Sequence, residues 1–138
     1  MNGRTPLYLT LLGVALLVAG LVIFQPYSVV SPWSVYTKPA QRFLQAAVRR
    51  DSLALTRQSA STAPVVWALT AARTHPDSLA VWARNARASS GGRWGDTADV
   101  LLSTSTEVCD EHPIWIRFVG SGDNARVLRA SSACFEPR

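Results

Sequence analysis

Hydrophobic residues take three different spacings along this chain. From Leu7 to Phe24, LYLTLLGVALLVAGLVIF, eighteen consecutive residues carry no charge, and only Tyr8 and Thr10 bring a hydroxyl. At about 1.5 Å of rise per residue the run covers roughly 27 Å, close to the hydrocarbon thickness of a bilayer, and residues 25–30 extend it into the interface. It predicts one membrane-spanning helix within residues 1–30. The run is longer than the roughly 7 to 15 apolar residues of a cleaved secretory signal, and no small-x-small site closes it.

The second spacing is helical. After Pro39, the segment AQRFLQAAVRR places Phe43, Leu44, Ala47 and Val48 on one stripe and Arg42, Gln45, Arg49 and Arg50 on the other. Asp51 and Ser52 can cap a short helix, SLALTRQSA, that turns Leu53 and Leu55 to the core. A third helix, APVVWALTAAR, directs Val65, Val66, Leu69 and Ala72 inward and ends at His75 and Pro76. A fourth, LAVWARNARA, starts at Asp77 or Ser78 and buries Leu79, Val81 or Trp82, and Ala86. The segment Ser89–Gly95, SSGGRWG, reads as a basic loop.

Beyond Gly95 the period falls to two. Residues 97–105, 113–119 and 125–131 are strand-like, with Ser121, Gly122 and Asp123 turning the last pair. A hairpin centred near Gly122 sets Ile116 opposite Leu128 and Ile114 opposite Ala130. The same register brings Cys134 opposite Asp110, one position from Cys109, so a disulfide closing a 26-residue loop fits, with two buried thiols as the alternative. The expected class is α+β: one N-terminal transmembrane helix, then helices on a three- or four-stranded antiparallel sheet. The domain plan is a cytoplasmic N-terminus and span over 1–30, an interfacial linker over 31–38 and an extracytoplasmic α+β domain over 39–138.

Charge adds an asymmetry. Between Lys38 and Arg93 nine basic residues face only Asp51 and Asp77, whereas from Trp94 to Arg138 seven acids outnumber four bases. A basic helical half suits anionic lipid or an acidic partner. Tyr27, Trp33 and Tyr36 follow the apolar run at headgroup spacing, and Gly13 and Gly20 could admit a neighbouring helix. Of five tryptophans, Trp33, Trp82 and Trp94 are expected at the surface and Trp67 and Trp115 in the core. Partner contacts are therefore expected at Gly13, Gly20, Arg49, Arg50, Trp82 and Trp94. Arg4 and the paired cysteines place the N-terminus in the cytoplasm and the domain in the periplasm of a bacterial inner or intracytoplasmic membrane.

Catalytic chemistry is not legible. The chain has no Gly-rich phosphate loop, nucleophile elbow, haem CxxCH or paired zinc spacing. His75 sits at a helix end, and His112 with Asp110 and Glu111 lies in one turn, where adjacent side chains rarely converge on an ion. Asp96 and Asp99 lack a partner histidine and read as strand-start and surface residues. No cofactor and no nucleic-acid partner are expected.

The order FLQAAVRRDSLAL, further helices, GDTADVLLS, PIWIRFV and RVLRAS resembles the nuclear transport factor 2-like superfamily, cone-shaped domains with helices on a curved antiparallel sheet. That resemblance covers Pro39 to about Cys134 and implies an enzyme using aspartate and histidine inside the cone, a small-molecule binder or a non-catalytic accessory domain. The single-span layout is similar to an additional subunit of a bacterial photosynthetic reaction-centre and light-harvesting complex. The expected function is a non-catalytic accessory subunit that touches membrane lipids and other subunits. A free-standing anchored binder, with a cavity lined by Phe43, Leu101, Ile116 and Leu128, is the alternative.

Overall fold

Residues 5–23, 31–104, 113–132 and 135 are described by the computed structural model, the side chains of the first stretch only at 10–19. They belong to two units, Met1–Val30 and Ser31–Arg138. In the first, Thr5–Ile23 forms one helix, α1, apolar on all sides, with residues 10–19 exposed along it. Among the described residues no helix is long and apolar enough to cross a membrane, so the expected span finds no support there.

The second unit begins where a surface linker was expected. Pro32 opens a short 3-10 helix, Pro32–Tyr36, which runs directly into α2, Thr37–Val48. Proline suits a first helical position because its missing N–H would have had no intrahelical partner. Residues 31–38 are thus built into the domain. Tyr36, expected at the membrane interface, is only 2% exposed: its ring stacks on Phe118 at 5.1 Å, and its hydroxyl donates to the Gly120 carbonyl oxygen at 3.4 Å. Trp33 is half-buried, packed on the core and stacked on Tyr36 at 6.4 Å.

Helix α2 buries Phe43, Leu44 and Ala47 as its stripe requires, but Ala40 and Ala46 join them and Val48 is exposed. It ends in a Schellman turn: Arg50 N–H donates to Ala47 O at 2.9 Å and Asp51 N–H to Ala46 O at 3.0 Å. Arg50 carries the positive φ, 54°, that glycine usually supplies there. Asp51 then caps α3, Ser52–Gln58, accepting from Ala54 N–H at 3.0 Å. Leu55 of α3 is buried, whereas Leu53 is exposed.

Helix α4, Ala63–Thr74, and helix α5, Pro76–Asn85, meet at His75, which caps the end of one and the start of the other. On α4 the buried positions are Pro64, Ala68, Ala71 and Ala72, the alanines small enough for close approach, while Val66 faces out. On α5, Leu79 and Trp82 enter the core and Val81 stays half-exposed.

Four antiparallel strands follow in a meander: β1, Arg87–Trp94; β2, Thr97–Ser103; β3, Trp115–Val119; and β4, Arg126–Ser131. Strand β1 corrects the loop expected over Ser89–Gly95. Its glycines fit the edge of the sheet for a packing reason, since a Cβ at Gly91 would lie 2.2 Å from the Asp99 carbonyl oxygen and 3.2 Å from the Trp33 ring. Two bonds fasten the start of β1 and the residue before it to α2: Ala88 N–H donates to Thr37 Oγ1 at 3.1 Å, and Gln41 Nε2 to Ala86 O at 2.9 Å.

The β3–β4 register also differs from expectation. Ile116 pairs with Ala130, not Leu128, because a bulge between the Arg117 and Phe118 pairings leaves Leu128 without an opposite residue. Face assignment nevertheless holds for most of the hairpin: Ile114, Ile116, Phe118, Val127 and Ala130 are buried under the helices. The architecture is α+β, helices on a four-stranded antiparallel sheet. Cys109, Cys134, Tyr27 and His112 lie outside the described residues.

Candidate functional site

The sheet turns its second face away from the core. In β2 the buried positions are Ala98, Val100 and Leu102, so Thr97, Asp99 and Leu101 point the other way; in β3, Ile116 and Phe118 are buried and Trp115 and Arg117 are exposed. Cross-strand pairing then builds rows. Asp99 lies opposite Arg117, which lies opposite Arg129; Leu101 lies opposite Trp115, which lies opposite Ser131.

The first row holds a two-point ion pair. Arg117 Nε reaches Asp99 Oδ1 at 2.5 Å and Nη2 reaches Oδ2 at 2.6 Å. The hydrogen bond from Arg117 holds the Asp99 carboxyl below its ordinary value, assisted by the charges of Arg117 and Arg129 and opposed by partial burial. A shallow recess of about 160 Å³ lies over Asp99, Trp115, Arg117, Arg129 and Ser131. Trp94 extends this face onto β1, where its ring lies over Gly92, 2.6 Å from where a Cβ would stand.

Tryptophan placement partly reverses the sequence reading. Trp94 is 62% exposed, as expected, but Trp115, expected in the core, is 45% exposed. Trp82, expected to meet a partner, is 2% exposed and forms part of the core, so it offers no contact surface. Trp67 is half-buried between Phe43, at 6.5 Å, and Phe135, at 6.0 Å. The outward turn of Trp115 has a simple origin: β3 alternates, and Ile116 with Phe118 claims the inner face.

The other expected contact residues do not converge on this face. Gly13 lies in α1, where an added Cβ would meet nothing within 4 Å, and Gly20 lies in the same helix. Arg49 is exposed at the end of α2, and Arg50 Nη2 donates to the Ala72 carbonyl oxygen at 3.3 Å. The Asp99–Arg117–Arg129 row escaped sequence reasoning. The alternation of TADVLLS already placed Asp99 opposite in face to Val100, but its partner depended on register.

Geometry also weighs on the cone reading. Phe43 and Ile116 are fully buried, Leu101 is on the outer face and Leu128 sits at the bulge, so these four do not line one cavity. Among the described residues no three His, Cys, Asp or Glu side chains are grouped to hold a metal ion. No protein-family model, curated protein or solved structure matches the chain.

Proposed function

We propose that the chain is a non-catalytic accessory subunit of a larger bacterial membrane complex, anchored through Leu7–Phe24 and meeting neighbouring subunits with its outer sheet face. The observation that carries this reading is the pair Trp94 and Trp115, both exposed on a face lined by an ordered Asp99–Arg117 pair. Exposed tryptophan beside arginine is the composition of interface hot spots.

The anchoring is part of the same proposal and is read from the exposed apolar side chains of α1. A helix that is apolar on all sides needs lipid or protein around it, and Leu11, Leu12, Val14, Leu16, Leu17 and Val18 are all exposed on α1. Arg4 and the cysteine pair favour an N-terminus in the cytoplasm and the Ser31–Arg138 unit in the periplasm. The likeness to nuclear transport factor 2-like domains rests on helices followed by an antiparallel meander. A photosynthetic reaction-centre and light-harvesting complex is the assembly we put first, on the single-span layout alone.

The test is purification of the full chain from its native membranes in mild detergent, with mass spectrometry of the comigrating high-mass fraction. Stoichiometric recovery with one defined complex, lost in Trp94→Ser/Trp115→Ser while that variant remains folded, is the expected result. Recovery only as a monomer, under conditions that keep known complexes whole, would sink the proposal.

A further inference from the structure

A second recess, of about 340 Å³, shares no lining residue with the first and is lined by Arg42, Arg57 and Arg126 with Gln58, Asp123 and Asn124. The three arginines come from α2, α3 and β4, and the topology explains their meeting. Ser59 bridges to Val127, and Ala60 N–H donates to Val127 O at 2.7 Å, so the end of α3 runs beside the start of β4. Arg126 donates to the Ser59 carbonyl oxygen, which sets its guanidinium next to the last turn of α3, where Arg57 stands. From the other side Arg42 reaches Asp123, with Nη2 3.5 Å from the carboxylate and 3.4 Å from the carbonyl oxygen.

Two of the three guanidiniums are therefore held by the protein before any ligand arrives. Each has five N–H donors, so one or two internal bonds leave others directed elsewhere. Three cations face a single carboxylate, Asp123, which is exposed and already engaged by Arg42. Planar guanidinium forks match the oxygens of a tetrahedral phosphate in pairs, and pre-positioned donors lose less freedom on binding.

We propose that this recess binds a phosphate-type oxyanion, either inorganic phosphate or the phosphate of an anionic lipid headgroup. Among the described residues Arg57 is the cation of the three that no internal bond holds. Arg42 and Arg126 shape the site, and Asp123 limits its affinity. The proposal is independent of the accessory-subunit reading, because it concerns different residues and needs no partner protein.

Calorimetric titration of the full chain in neutral detergent with inorganic phosphate, at low ionic strength against a chloride control, tests it. Saturable binding of one phosphate per chain is expected, weakened about tenfold by Arg57→Gln, partly restored by Arg57→Lys and strengthened by Asp123→Asn. Arg57 is exposed, so these variants keep the fold, which circular dichroism verifies. Arg87→Gln, the same charge change on the exposed start of β1, should leave affinity unchanged. Competition by phosphatidylglycerol added to the micelles would identify a lipid headgroup as the source, and its absence free phosphate. No saturable binding, or equal weakening by Arg57→Gln and Arg87→Gln, would overturn the proposal.

Discussion

Arg117 grips both carboxylate oxygens of Asp99 from the neighbouring strand, at 2.5 and 2.6 Å. The bond lowers the Asp99 pKa from its ordinary value of 3.8, which determines how stability responds to acid. A carboxyl whose folded-state pKa is depressed contributes fully above its unfolded value and loses that contribution as pH falls through the folded value. The stabilisation is therefore complete at neutral pH, begins to fall near the unfolded value of about 4 and is lost as pH drops through the depressed folded value. Thermal melts of the wild-type chain and Asp99→Asn should differ at pH 7, and the difference should shrink steadily as pH is lowered below about 4. Both groups are partly solvated, so the difference is small.

Trp82 fills the core but leaves its indole N–H with no hydrogen-bond partner among the described residues. Trp82→Ala should cost about 3 to 5 kcal/mol through the cavity it opens. Trp82→Phe loses volume but also removes a buried unsatisfied donor, and should cost less than about 2 kcal/mol. Urea unfolding ranks the two. If Trp82 were a partner contact, neither change would move the midpoint.

Gly91 is set by close approach, not by backbone conformation. Gly91→Ala drives a methyl group against the Asp99 carbonyl oxygen, and the β1–β2 pairing must shift at a cost of about 1 to 3 kcal/mol. Gly95 supplies the contrast, since it adopts φ of 60° with nothing within 4 Å of an added Cβ. Gly95→Asn should be nearly neutral, because asparagine tolerates the left-handed region. Amide exchange along β1 distinguishes the two sites.

Arg50 combines a strained backbone with one useful bond, from Nη2 to the Ala72 carbonyl oxygen. Alanine and glycine both delete that bond, but only glycine relieves the positive φ. Arg50→Gly should therefore exceed Arg50→Ala in stability by roughly 1 kcal/mol. Equal denaturation midpoints would show that the turn is not strained.

Local chemistry in the sequence determined much of the folded domain. The stripe of Phe43, Leu44 and Ala47, the Asp51 cap and the alternation of β2 and β3 each depend on residues within a few positions of one another. Even the outward aim of Trp115 was implicit, because Ile116 and Phe118 occupy the opposite parity. The apolar run Leu7–Phe24 is likewise complete in itself. Tertiary structure decided whatever depended on a distant neighbour. Strand β1 is poor in strand-favouring residues and owes its conformation to pairing with β2 and to the Trp33 ring against Gly91. Tyr36 is buried because Phe118, far along the chain, offers it a stacking surface. A bulge moved the β3–β4 register away from the one inferred from the turn. Arg42, Arg57 and Arg126 share a recess only because the end of α3 lies beside β4. Side-chain periodicity records which way a residue faces, while the identity of what it faces is set by register and packing between segments remote in sequence.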